Sequence, residues 1–252
     1  MPRVRAHWAV STAVVSAIGQ EFMPDRAGTG PPLSSDVLDP PPLRAVVTHT
    51  GAMQPSRILA SQFNALNFQL HAVAESMEEE DWLRRAVAGT NLPAFIFWHI
   101  PRSLDWTIQR GVRGVPEVLA SEPWASKAWA RADLGTGYSL EEADAVAADV
   151  VPAEILDYAD AVRSHVSQWL RGMEDGELDA PNQLTEHAKL APGYDRPALQ
   201  EALAPMAGQP VWVVLSLDCF AHGWAHVEEI RLLARAGRPR LGLPSPGLRQ
   251  PQ

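Results

Sequence analysis

Regular spacing of apolar residues is the feature that most limits how this 252-residue chain can fold. From Ser56 onward the apolar residues follow one another at steps of four and three, at Leu59, Phe63, Leu66, Leu70, Val73 and Met77. Such steps place the side chains on one side of an α-helix, as in helices that pack against others. The segment therefore predicts a long helix in a helical core, and no stretch shows a comparable strand pattern.

Three further segments carry helical spacing. One helix is predicted to begin near Pro93, another to cover about residues 152–173, and the last to run from Pro210 to about Gly237. Two connections, residues 111–150 and the span that precedes the last helix, are too long for simple hairpins. Four helices without strands predict an all-α fold, namely a four-helix bundle with long connections between its helices.

The two ends of the chain differ from its centre in composition. Residues 23–44 are rich in Pro, Gly and Ser and lack periodicity, so they bury too little apolar area to offset the entropy of ordering. We therefore expect residues 1–53 to form a poorly ordered extension, residues 54–245 to form the bundle and residues 246–252 to be a tail.

A mildly apolar stretch at residues 7–19 follows Arg3 and Arg5 and has the rough shape of a signal peptide. It lacks a clear small-residue cleavage site, and it is shorter than the ~20 apolar residues that span a bilayer. A loosely ordered extension is therefore the preferred interpretation, and a natural start at Met53 is a further alternative.

Charge and cysteine content exclude several classes of partner. The net charge of −9 and the pI near 5.3 argue against a surface for nucleic acid or anionic membranes, which require clustered Lys and Arg. Cys219 is the only cysteine, so the chain cannot form an internal disulfide and needs no oxidising compartment. A cytoplasmic location is the expectation that follows.

Two histidines lie one turn apart in the last predicted helix. His222 and His226 can both reach one divalent ion, and this spacing supplies two ligands from one rigid element. The motif differs from the H-E-x-x-H of zinc proteases, because Gly223 stands where the general-base glutamate would be. A third ligand must come from elsewhere, and His99, on an aromatic face of the second helix, is the best candidate. The alternative is a set of packed core histidines.

Two residues near the pair decide what kind of site this would be. Glu229, one turn beyond His226, can act as a fourth ligand or can orient an imidazole from outside the coordination sphere. Cys219, one turn before His222, would complete a closed structural site, although a small buried residue is the preferred interpretation. Three histidines with solvent would instead leave an open position for chemistry.

The quoted motifs resemble a known family. "NLPAFIFWHIPRSLDW" together with the later "HGWAHVEEI" is similar to the DinB/YfiT-like metalloenzyme superfamily, over about residues 54–240. The resemblance implies a four-helix bundle of DinB/YfiT type with a metal triad at His99, His222 and His226 and a glutamate at Glu229. Two departures stand out: Glu228 replaces a family glycine, and Pro101 can kink the second helix beside His99.

The resemblance also implies a function. Members with an assigned activity include mycothiol-dependent maleylpyruvate isomerases and bacillithiol or mycothiol S-transferases, and the family name derives from DNA-damage induction, a stress response. It implies a small-molecule substrate and is compatible with a homodimer. Zinc is the expected metal, with nickel, cobalt or iron as alternatives. A low-molecular-weight thiol is the expected cosubstrate.

Two interior residues are candidates for catalysis. Tyr158 can donate a proton to a substrate, or it can be an interior tyrosine with a satisfied hydroxyl. Arg102, one turn from His99, can bind a substrate carboxylate or can pair with Asp105 or another acid.

Three function classes therefore remain open. The first hypothesis is a metal-dependent thiol S-transferase or isomerase that acts on small electrophiles. The second is a metal-dependent hydrolase at the same site. The third is a non-catalytic bundle, with a structural metal or none, that binds a ligand or a partner protein.

Overall fold

The computed structural model describes residues 54–189 and 196–237. Within these ranges the chain is mostly helical and forms no named strand, and an isolated bridge joins Pro181 to Pro210. The prediction of an all-α fold is confirmed for this part of the chain. The predicted N-terminal extension, residues 1–53, and the tail, residues 246–252, lie outside the described residues.

The helix bounds follow the sequence pattern closely. The α-helices are α1 (Pro55–Ser76), α2 (Pro93–Asp105), α3 (Leu140–Asp149), α4 (Pro152–Gly172), α5 (Asp175–Leu178), α6 (Leu184–Lys189), α7 (Pro197–Leu203), α8 (Val211–Val213) and α9 (His222–Gly237). Shorter 3-10 turns cover Glu79–Asp81, Val118–Ala120, Ala128–Arg131 and Ala204–Met206. Proline occupies the first turn of α2, α4 and α7, where its missing N–H costs no helical hydrogen bond.

Two π-helical segments interrupt the regular geometry. Trp106–Val112 extends α2, and Val214–Ala221 joins α8 to α9, so α8 and α9 belong to one continuous helical stretch. The two segments contact each other. Single π turns inside α-helices occur often at functional sites.

The long helices pack side by side around a common core. Helix α1 contacts α4 and α9, and α2 contacts the same two helices. The predicted apolar stripe of α1 is buried from Leu59 to Val73, and Met77 packs partly buried against the core. Burial of each such side chain stabilises the fold by roughly 1.5–3 kcal/mol. No helix among the described residues is long and apolar enough to cross a membrane.

The connections between the long helices are also packed. Ser139 caps α3 by accepting a hydrogen bond from the Glu142 backbone N–H at 3.2 Å, as its S-x-x-E sequence predicts. A second, smaller apolar cluster covers the end of α2 and the segment before α9, and it consists of Trp106, Leu134, Leu184, Leu199, Leu203 and Val214. Both connections therefore reach the region of the predicted histidine site.

Candidate metal centre

Helices α2 and α9 bring three histidines together. One ring nitrogen from each of His99, His222 and His226 lies within 4.8 Å of the other two. The His222 Nε2 and His226 Nε2 atoms are 2.9 Å apart. The His99 ring centroid is 5.3 Å from that of His222 and 5.1 Å from that of His226. These distances suit ligands that share one small ion.

Close helix packing places the histidines. A Cβ atom built at Gly223 would lie 2.8 Å from Leu66 Cδ2, so glycine lets α9 approach α1 without displacing the Leu66 side chain. On α2 the Phe95 ring stacks on His99 with centroids 6.1 Å apart. The helix continues through Pro101, and His99 still faces the pair on α9. Pro101 therefore does not displace His99 from the pair on α9.

Each imidazole has an acceptor for one ring nitrogen. His99 Nδ1 lies 2.6 Å from the Leu134 carbonyl oxygen, and His226 Nδ1 lies 2.8 Å from Glu229 Oε2. The His222 ring is hydrogen-bonded to the Asp218 backbone carbonyl. Carbonyl and carboxylate oxygens only accept, so these ring nitrogens carry the protons.

This hydrogen bonding leaves the Nε2 atoms as lone-pair donors. The Nε2 atoms of His222 and His226 lie 2.9 Å apart, so their lone pairs face each other in the tautomers that carry the proton on the opposite nitrogen of each ring. Two lone pairs at that distance repel unless a cation or a proton lies between them. The donor set therefore fits a divalent metal ion, because nitrogen ligands and occupied outer partners are what such sites require.

Burial keeps two of the three imidazoles neutral. It lowers the pKa of His99 from 6.5 to about 3, and the neighbouring His226 adds to the effect. Burial, followed by the charges of His226 and His99, lowers the pKa of His222 well below its usual value. Protons therefore do not compete for these nitrogens near neutral pH.

The comparison with protein families supports the resemblance seen in the motifs. The model of the DinB superfamily matches residues 62–206, more than half of the chain. The chain belongs to the DinB superfamily. The matched span contains His99 and ends before α9. No curated protein matches the chain significantly.

Glu229 lies outside the histidine triad. Its carboxylate faces His226 Nδ1, on the side of the ring away from His222, which is the orienting geometry among the alternatives. Glu228, at the family's glycine position, is exposed and pairs with Arg231. Cys219 is buried and does not belong to the histidine group. Burial raises the pKa of its thiol well above the usual value, with Asp218 adding to the shift.

Tyr158 and Arg102, the two catalytic candidates, contact buried acids. The Tyr158 hydroxyl donates to Asp105 Oδ2 at 2.7 Å, and burial raises its pKa well above the usual value. Arg102 Nη2 lies 2.5 Å from Glu117 Oε2, and the arginine side chain has no exposed surface. Both candidates therefore have partners in the protein interior: Arg102 forms an ion pair with Glu117, and its charge also acts on Asp105.

Three residues build the surroundings of the triad in roles that the sequence analysis did not assign to them. Asp105 anchors the first long connection by accepting hydrogen bonds from the backbone N–H groups of Val118 and Leu119, each at 2.9 Å. Asp218 is buried within the second π-helical segment, and burial raises its pKa to about 6. The third is Leu134, whose backbone carbonyl oxygen accepts the hydrogen bond from His99 Nδ1. Only the two acids carried any sequence signal, as charged residues in apolar helical stretches.

Acidification is expected to destabilise the metal-free protein through these histidines. The unfolded chain binds a proton at His99 below pH 6.5, whereas the folded chain does so only near pH 3. The contribution of His99 to the free energy of unfolding is therefore fully present above about pH 6.5. It decreases as the pH falls, by about 2 kcal/mol at pH 5. Urea unfolding at several pH values would measure it, and His99→Gln should remove that part of the pH dependence. Identical profiles for the two proteins would contradict the assignment.

Proposed function

We propose that this member of the DinB superfamily is a four-helix bundle of DinB/YfiT type that binds one divalent metal through His99, His222 and His226. The observation that carries the proposal is the convergence of one ring nitrogen from each of the three histidines within 4.8 Å, with each ring also hydrogen-bonded to a carbonyl or carboxylate oxygen. Three protein ligands leave a position open for a substrate. Zinc suits this donor set first, and nickel, cobalt or iron can also be held by it.

The reaction that fits best uses a low-molecular-weight thiol. The thiol either is transferred to a small electrophile, as in an S-transferase, or assists the isomerisation of such an electrophile. A divalent ion bound at the triad supplies a Lewis acid that lowers the pKa of a thiol or of water. The chain's one cysteine, Cys219, is buried and its thiol pKa is raised, so the sulfur nucleophile has to come from a cosubstrate. The triad residues would orient that cosubstrate, with Glu229 fixing the His226 ring.

Two other functions differ from this one in measurable ways. A hydrolase at the same site would need no thiol. A bundle with a structural metal, or with none, would bind a ligand or partner without turnover. The partial exposure of His226, with 24% of its side chain accessible, favours an open site over a closed structural one.

The setting of the protein is part of the proposal. A net charge of −9 favours a small-molecule substrate over nucleic acid or membrane surfaces. We propose a cytoplasmic role in a stress response, with a homodimer as the candidate assembly; the family resemblance and the lack of disulfides support this.

A thiol-dependence assay tests the function. Zinc-loaded protein would be incubated with a panel of thiols, including mycothiol, bacillithiol and glutathione, each with a panel of small electrophiles. We expect turnover that requires both thiol and metal and that His222→Ala abolishes. Arg163→Gln is the control, because Arg163 hydrogen-bonds Asn64 on α1 and pairs with Asp160 on α4 rather than with a histidine of the triad.

The outcomes of the assay separate the three functions. Metal-dependent turnover of ester or amide substrates without thiol would replace the first proposal with the hydrolase. A tightly bound metal with no turnover, whose removal unfolds the protein, would favour the structural function instead.

A further inference from the structure

The Leu134 carbonyl that accepts from His99 is held by a compact turn. Asp133 Oδ1 accepts the Gly135 backbone N–H at 2.9 Å, and the Tyr138 backbone N–H donates to the Gly135 carbonyl at 3.2 Å. The Asp133 backbone N–H donates to the Tyr138 hydroxyl oxygen at 3.2 Å. These bonds link both ends of the turn to each other, with Leu134 between them. The position of one carbonyl oxygen therefore depends on the whole turn.

Packing against α2 fixes the inner side of this turn. Gly135 has a φ of +76°, and a Cβ there would lie 2.7 Å from a Phe95 ring carbon. The Tyr138 ring lies 6.2 Å from the Phe95 ring, which in turn stacks on His99. The turn thus rests directly on the aromatic surface that surrounds the ligand.

Arg196 holds the outer side of the turn. Its Nε donates to Asp133 Oδ2 at 2.8 Å, and its guanidinium carbon lies 4.5 Å from the centre of the Tyr138 ring. The same guanidinium reaches Glu142 Oε1 at 3.4 Å through both Nη atoms. Arg196 is the residue before α7, so a side chain from the second long connection clamps a turn in the first.

We infer that Arg196 is a positioning residue for the metal ligand His99: it fixes the Asp133–Tyr138 turn, so that the Leu134 carbonyl holds the proton on Nδ1 and leaves Nε2 directed at His222 and His226. The consequence for metal affinity rests on the proposed function, whereas the effect on the His99 proton does not. Neither α2 nor α9, which carry the ligands, contributes the arginine, so ligand geometry is coupled to a connection remote in sequence.

Hydrogen exchange of the His99 Nδ1 proton tests the inference. It would be followed by nitrogen-15 NMR on the metal-free, full-length, histidine-labelled protein, for wild type, Arg196→Gln, Arg196→Lys and Asp133→Asn. We expect exchange at least about fivefold faster in Arg196→Gln and Asp133→Asn, because the turn opens more often without the clamp. Arg196→Lys should fall between them and the wild type, since lysine keeps the charge but lacks the planar fork.

A matched control separates positioning from general stability. Arg163 has a side-chain exposure of 37%, close to the 38% of Arg196, and it also pairs with an aspartate, so Arg163→Gln should exchange as the wild type does. Asp133→Asn keeps an acceptor for the Gly135 N–H and covers the case in which Arg196→Gln fails to fold. Wild-type exchange in Arg196→Gln and Asp133→Asn would overturn the inference.

Zinc affinity provides the second readout. Competition with a chelating dye should show binding about tenfold weaker in Arg196→Gln, the lower range for loss of an outer partner of a metal ligand. If the wild-type protein binds no metal, the proposed function fails, and the NMR experiment still decides the role of Arg196.

Discussion

Replacement of His226 by alanine is expected to lower metal affinity by more than about a hundredfold, since loss of an outer partner alone costs 10–100-fold. The change removes one of three nitrogen donors and also leaves Glu229 without the ring that it orients. Elemental mass spectrometry of the purified protein should find about one equivalent of divalent metal in the wild type and almost none in the variant.

His71 supplies the control for that experiment. It lies on α1, its Nε2 atom is 3.3 Å from Asp160 Oδ1, and 36% of its side chain is accessible to solvent. His71→Ala should therefore retain the full metal content. A His226→Ala protein that kept one equivalent at wild-type affinity would place the metal elsewhere.

Replacement of Asp105 by alanine is expected to destabilise the fold by about 3–5 kcal/mol, the cost of breaking a buried charged network. Asp105 has no exposed surface and accepts from Val118 N–H, Leu119 N–H and the Tyr158 hydroxyl at 2.7–2.9 Å. Alanine would leave three buried donors without this acceptor. The urea concentration at the unfolding midpoint would fall accordingly, and the first long connection should become sensitive to proteolysis.

An exposed aspartate with an ion pair gives the comparison. Asp144 binds Arg85 at 2.5 Å, but 42% of its side chain is accessible, so Asp144→Ala should cost no more than about 1 kcal/mol. Equal losses for the two variants would show that burial of Asp105 contributes little.

The sequence predicted those features that depend on residues close together in the chain. The stripe from Leu59 to Val73, the helix over about residues 152–173 and the Ser139 cap each depend on neighbours within a few residues, and each was predicted correctly. The histidine pair on α9 was visible for the same reason, because its spacing is one helical turn.

Contacts between distant segments could not be predicted in this way. Sequence patterns placed Arg102 and Tyr158 on interior faces. The contact of Arg102 with Glu117 depends on how an irregular connection folds back, and that of Tyr158 with Asp105 depends on how α4 packs on α2. The Leu134 carbonyl has no side-chain signature at all, since every residue carries a backbone carbonyl. Arg196 lies far along the chain from the turn that it contacts, and no periodicity relates the two.

The π-helical segment Val214–Ala221 determines which insertions and deletions the last helical stretch can tolerate. A π turn holds about one residue more than an α turn, and each residue of an α-helix rotates the chain by about 100°. Deletion of one residue there would let the segment relax to α geometry and leave His222 and His226 pointing much as before, whereas one additional residue would turn them by about 100° away from His99. A single-residue deletion in this stretch should therefore be tolerated better than a single-residue insertion, because the π geometry already accommodates one surplus residue.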